Sequence, residues 1–161
     1  NVAALNALGY TLADRTDRYR EALELIDRAR VAEPDNAAIV DSYGWVLYRL
    51  GRNEEALVEL RRAWGLLKDP EIGAHLGEVL WVVGRRNEAM RYFEESRRLD
   101  ADNRSLRRAL EKLQVTLPPA VPAPDAAPAS APPAAPAVDA APAPASDADA
   151  AVAPPPAEPV R

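Results

Sequence analysis

The chain has 161 residues, a formal net charge of −5, one His and no Cys, which excludes disulfides, thiol nucleophiles and the usual zinc sites. All but Arg161 of its 20 Lys and Arg and all but five of its 25 Asp and Glu precede Pro118, so the part before that residue is nearly neutral. A nucleic-acid domain would be clearly basic, and no apolar run is long enough to cross a membrane.

In chain order, apolar residues at helical spacing predict helices over 2–14, 18–32, 37–50, 53–67, 70–83, 86–99 and about 103–115. Leu5, Leu8 and Leu12 form one apolar stripe, and Ala22, Leu25, Ile26 and Ala29 another. The connection from Asp14 to Arg18 lacks glycine, and Thr16 or Asp17 is the expected cap for the helix after it. Pro34 stops the second helix. Gly51 ends the third, because glycine adopts the left-handed conformation cheaply. Asp69 and Pro70 read as the cap and first residue of the fifth. The last helix has Leu106, Ala109, Leu110 and Leu113 on one side and Arg104, Arg107, Arg108, Glu111 and Lys112 on the other. It reads as a terminal cap with one buried and one wetted face. The start, Val2-Ala3, lacks such a polar cover and does not begin with Met, which suggests the C-terminal piece of a longer solenoid. Fourteen of the sixteen prolines lie between Pro118 and Pro159. Residues 117–161 therefore read as a disordered Ala/Pro-rich tail, reaching about 130 Å if extended. That tail reads either as a spacer or docking strand, or as low-complexity drift.

The helices pair into an internal repeat. Glu21-Ala22, Glu55-Ala56 and Glu88-Ala89 recur, as do Gly9, Gly44 and Gly77, at spacings of 33 to 35 residues. With Leu-Gly in the first helix and Glu-Ala in the second, this resembles the tetratricopeptide repeat, a helix-turn-helix unit. In the third copy Gly73, Ser96 and Ala101 stand where the family usually has a large aromatic residue, alanine and proline. The resemblance implies an all-α solenoid, with repeats at 1–36, 37–69 and 70–103, a capping helix at 104–116, and the tail at 117–161.

Chemistry is sparse. Ser42, Ser96 and Ser105 are in no nucleophile pattern, there is no Gly-rich phosphate loop, and His75 has no metal-ligating companion. Glu54/Glu55 and Glu94/Glu95 read as surface ion-pairing residues beside arginines. The expectation is a non-enzymatic binding protein without cofactor or metal. The resemblance implies that the first helix of each repeat lines a concave groove. The groove residues are then Asn6, Tyr10 and Asp14, Asp41, Trp45, Tyr48 and Arg49, and Glu71, His75, Glu78 and Trp81. Tyr10 and Trp45 share one repeat position, and Tyr48 and Trp81 another. Such a ladder of rings with interspersed charge suits a peptide or helix. For Trp45 and Trp81 the alternative is packing against the neighbouring repeat, and Trp64 reads as packing under the next repeat. One subset of the family clamps a carboxylate with paired asparagines. Those positions hold Ala7, Tyr10, Ser42 and Trp45 here, so the chain departs from that subset.

Three phrases carry a closer resemblance: Asn6-Ala-Leu-Gly-Tyr-Thr-Leu-Ala-Asp-Arg-Thr16, Asp41-Ser-Tyr-Gly-Trp-Val-Leu-Tyr-Arg-Leu-Gly51, and Ala74-His-Leu-Gly-Glu-Val-Leu-Trp81. They look like the last repeats of a proteobacterial tetratricopeptide lipoprotein family held on the periplasmic face of the outer membrane. That resemblance implies an adaptor for a carboxyl-terminal processing protease, with peptidoglycan hydrolases as cargo. The alternative is a cytoplasmic assembly or regulatory module of a larger protein. Candidate partners are thus a peptide or helix of another protein, such as that protease or a cell-wall hydrolase, or a second copy of the chain.

Overall fold

The computed structural model describes residues 1–122, and among them are seven α-helices and no strand. They are α1 (Val2–Arg15), α2 (Tyr19–Ala32), α3 (Ala37–Arg49), α4 (Asn53–Leu66), α5 (Pro70–Val82), α6 (Arg86–Leu99) and α7 (Arg104–Leu113). Each odd-numbered helix starts on a short polar cap. Asn1, Asn36, Asp69 and Asn103 accept first-turn amides through their side chains, and Pro70 opens α5 where its missing N–H costs nothing.

The even-numbered helices start instead from tight turns. Gly51 and Gly84 have φ of +80° and +90°, and the amides of Arg52 and Arg85 close back on Leu47 O and Leu80 O at 2.9 Å each. The first hairpin has no such glycine, and the expected cap is absent. Arg18 occupies the cap position of α2 with no side-chain cap bond. The Thr16 hydroxyl instead donates to Leu12 O at the end of α1 and accepts from Arg18 N.

Consecutive helices pair as hairpins α1/α2, α3/α4 and α5/α6. Within each hairpin a small residue lets the axes approach. A Cβ on Gly77 would lie 2.6 Å from two Phe93 ring carbons, and Gly9 and Gly44 stand in the same relation to Ile26 and Leu60. Phe93, Ile26 and Leu60 are fully buried as a result. Against the third hairpin, Trp64 fills the space that the small Gly73 leaves. A Cβ there would come within 3.2 Å of its ring, and Trp64 meets Tyr92 edge-on at 5.7 Å.

Between hairpins the odd helices pack on each other in sequence, α1 on α3, α3 on α5 and α5 on α7. Helices α2, α4 and α6 have no backbone neighbours among themselves. Only side chains cross that outer gap, such as Arg61 to Glu88 at 2.6 Å. The described chain is therefore an all-α solenoid of three hairpins and a final helix, curved toward its odd helices. Beyond α7 the chain stays on this body for a few residues. Val115 and Leu117 pack on the core, and Arg97 donates to Pro118 O at 2.8 Å. The expected tail from residue 123 onward lies outside the described residues.

Candidate functional site

The odd helices bring most of the expected groove residues together, but buried more deeply than the sequence implies. Asp41, His75 and Glu78 are 5%, 3% and 3% exposed, and Trp45 is 6% exposed. At the centre lies His75. Its Nδ1 donates to both oxygens of Asp41, at 2.9 and 3.0 Å, because a carboxylate can only accept. Its Nε2 is 3.1 Å from the Tyr10 hydroxyl. The Trp45 ring stacks on the imidazole at 4.2 Å between centroids. Helices α1, α3 and α5 thus meet at one side chain.

Burial alone would push the imidazole toward its neutral form. The charge and hydrogen bond of Asp41, with help from Glu71 and Glu78, outweigh that, so the pKa of His75 is raised above its usual value. Burial first, then the charges of Glu71, Asp14 and Asp41, push the Tyr10 hydroxyl well above the ordinary tyrosine value. Tyr48 moves the same way, through burial and then Glu78. The Asp41–His75–Tyr10 chain resembles a proton relay in outline. This chain links α1, α3 and α5 through one side chain.

A cavity of about 370 Å³ opens beside this network. Tyr10, Asp14, Trp45, Arg49, His75 and Glu78 line it from the expected set. Helix α7 closes the far wall with Ser105, Arg108, Ala109, Glu111 and Lys112. Arg108 pairs with Asp14 at 2.9 Å, joining the last helix to the first. The Lys112 ammonium is 3.5 Å from Glu78 Oε1 and 5.7 Å from the Tyr48 ring centre. Two of the lining residues carry a side-chain atom that is closed to solvent and has no hydrogen-bond partner among the described residues, Trp45 Nε1 and Glu78 Oε2. Asn6, Asp41 and Glu71 line a second recess of about 190 Å³, whose wall also includes Tyr10.

Two expected positions, Tyr48 and Trp81, line neither recess, and Arg49, which lines the first, also bonds away from it. Arg49 reaches out of its own hairpin, donating to Ala13 O and to the Tyr19 hydroxyl, both at 3.1 Å. Trp81 is half-buried against the core with the Arg86 guanidinium 4.6 Å above its ring, and it lines neither recess. The residues missed were those of α7, read from sequence as a cap with one wetted face. The repeat period held the missing signal. Ser105 lies 34 residues beyond Glu71 and donates to it at 3.3 Å, so α7 continues the series of groove helices.

Comparisons with known proteins agree with this architecture. A family model described as Tetratricopeptide repeat matches residues 8–110. A 78-residue stretch is 56% identical to the TPR repeat-containing protein PA4667 of Pseudomonas aeruginosa. The match covers 48% of this chain and 13% of that relative, so the chain spans a small part of its length. The fold is similar to TTC0263, a thermophilic TPR protein of Thermus thermophilus, at 25% identity and a TM-score of 0.59, covering 71% of this chain and 65% of that one. It is similar to the first TPR of Spaghetti (RPAP3) bound to the HSP90 peptide SRMEEVD, at 18% identity and a TM-score of 0.59, covering 70% and 90%. It is also similar to SycD, the type III secretion translocator chaperone of Yersinia enterocolitica, at 16% identity and a TM-score of 0.57, covering 70% and 91%.

Proposed function

The chain belongs to the tetratricopeptide repeat family, and from that premise we propose that it is a non-enzymatic scaffold that binds a peptide segment of a partner protein on its concave side. The observation that carries this is the cavity of about 370 Å³, walled by polar and aromatic side chains of four different helices. A recess of that size with a few placed polar groups suits a ligand side chain or short segment. A similar fold bound to a peptide is consistent with the reading.

The finer part of the proposal is an adaptor in the bacterial cell envelope, anchored at the outer membrane through another part of a longer protein. It would serve a periplasmic processing protease and its cell-wall hydrolase substrates. The three sequence phrases given above support it. A cytoplasmic assembly module is the second reading.

The test is capture from envelope and cytosolic extracts with three baits. One is the native chain, one carries Arg108→Glu with Glu111→Lys at the rim of the cavity, and one carries Val58→Asp on α4, where Val58 is 65% exposed. Recovery of a processing protease or cell-wall hydrolase, lost only in the rim variant, is the expected result. Loss only in the Val58 variant would move the site to the convex side and overturn the groove. Recovery of cytosolic complexes alone would overturn the envelope assignment.

A further inference from the structure

Adjacent hairpins are held together by apolar packing, but the first and last helices are not. The buried apolar residues of α1, Leu12 and Ala13, cluster with Ile26, Ile39 and Val46. Those of α7, Leu106 and Ala109, cluster with Phe93, Val79 and Leu80 of the third hairpin. Among the described residues no apolar cluster spans both helices. Yet α1 and α7 face each other across the cavity. They also line a third recess of about 300 Å³, with Thr11 and Arg15 on one wall and Asn103 and Arg104 on the other. The seam between them is polar. Arg108 donates to Asp14 at 2.9 Å, and the Tyr10 hydroxyl comes within hydrogen-bonding reach of Ser105. Arg108 is about half exposed, so salt reaches this pair.

The placement of α7 lets such a seam open. It shares few backbone neighbours with α6, unlike α3 with α2 and α5 with α4, and leans over the concave side onto α5. Its apolar face is buried there, with Leu106 and Ala109 1% and 5% exposed, which ties it to the third hairpin. On the far side of the cavity α3 and α5 also share few backbone neighbours, and the buried His75 ring lies between them. Parting α1 from α7 about that joint costs polar contacts and uncovers little apolar surface.

We propose that α7 is a strap across the groove, latched to α1 by Arg108 and Asp14, and that release of the latch widens the mouth of the cavity. The third hairpin and α7 then swing as one body. Latched, the cavity holds about 370 Å³, room for a side chain or short segment. Released, it admits a longer one. A half-exposed ion pair shifts such an equilibrium by at most about fivefold, so a partner needs only a modest preference for the open form. The proposal gives the site described above a gate, and it rests on the scaffold reading for the purpose of that gate.

The test needs no partner. The chain has no Cys, so spin labels attach only where cysteines are introduced. Leu8→Cys on α1 with Arg107→Cys on α7 reports the seam, and both positions are exposed. Arg91→Cys on α6 with Arg107→Cys reports α7 against its own hairpin. Pulsed electron–electron resonance reads the distance distribution of each pair. Raising salt from about 0.1 M to about 1 M is expected to enlarge the long-distance population of the α1–α7 pair by up to about fivefold. The α6–α7 pair should stay unchanged. Arg108→Glu sets like charges across the seam, so it is expected to be open at low salt and to close as salt rises. Outer ion pairs such as Arg61–Glu88 also respond to salt, but they are the same in both proteins, so the reversed sign belongs to the latch. A native distribution that salt does not change, or a response of the same sign in the variant, would overturn the proposal. Lengthening of the α6–α7 pair would show α7 peeling from its hairpin and would overturn it as well. The native titration stands even if the variant fails to fold. Partner capture with an unmoved α1–α7 distance would sink the gate and leave the scaffold intact, and a moving distance without capture would do the reverse.

Discussion

Asp41 and His75 stand 34 residues apart, one full repeat, and their side chains meet at 2.9 Å. Equivalent positions of adjacent hairpins thus touch each other directly, carboxylate to imidazole. The raised pKa of His75 gives this contact a pH signature. Its contribution to stability is complete below the unfolded-state value of about 6.5 and is lost as pH rises through the higher folded value. The stability difference between the native chain and His75→Gln is expected to be larger at about pH 5.5 than at about pH 9.5, with urea midpoints as the readout. A difference that grows with pH would show that His75 is held neutral.

Asp41→Ala removes the partner of Nδ1 and leaves a buried imidazole with Tyr10 at 3.1 Å and the Glu71 carboxylate at 3.9 Å from Nε2. Breaking a buried pair from one side costs about 3–5 kcal/mol, and chemical unfolding of the variant at neutral pH measures it. A loss under about 1 kcal/mol, typical of an exposed pair, would mean that the site relaxes or hydrates freely.

Gly77 and Phe93 offer a packing test. Gly77→Ala places a methyl 2.6 Å from the Phe93 ring and is expected to cost about 1–3 kcal/mol. Combined with Phe93→Leu, the alanine should cost clearly less than it does alone, giving a coupling of about 1 kcal/mol in a double-mutant cycle. Additive losses would place the strain elsewhere.

Arg49 holds α3 to the first hairpin with two bonds from one guanidinium, to Ala13 O and to the Tyr19 hydroxyl. Arg49→Lys cannot reproduce that fork, so it is expected to lose nearly as much stability as Arg49→Ala, about 1.5–3 kcal/mol by thermal unfolding. Full rescue by lysine would assign the effect to charge alone.

The Arg108–Asp14 contact joins the first and last helices, with Arg108 half exposed. Arg108→Ala is expected to cost no more than about 1 kcal/mol globally. Amide exchange in α7 should nonetheless rise, and about 1 M salt should erase the difference from the native chain. Unchanged exchange would show that α7 is held by its apolar face alone.

The hairpins were legible because their signals are local and repeated. Gly77 and Ala89 mark a close approach in any one copy, and three copies in phase fix the fold. The site was legible only in part. The sequence names Tyr10, Asp41 and His75 as groove residues, but their burial follows from stacking, which a single helix does not display. Helix α7 was read from its amphipathic pattern, where Arg108 and Lys112 count simply as solvated charges. Its role in the groove emerges from the repeat spacing, which puts Ser105 beside Glu71. Trp81 shares its repeat position with Tyr48, and neither lines a recess: Lys112 lies 5.7 Å from the Tyr48 ring and Arg86 4.6 Å from that of Trp81. Position within a repeat states where a side chain begins and not which neighbour claims it.

The gap between the outer helices has a mechanical consequence. Because α2, α4 and α6 meet only through side chains, among them the ion pair Arg61–Glu88, bending the solenoid stretches charged contacts on one side while the dense inner packing acts as the pivot. If bending loads those outer ion pairs first, the width of the recess between α1 and α7 is expected to vary with ionic strength.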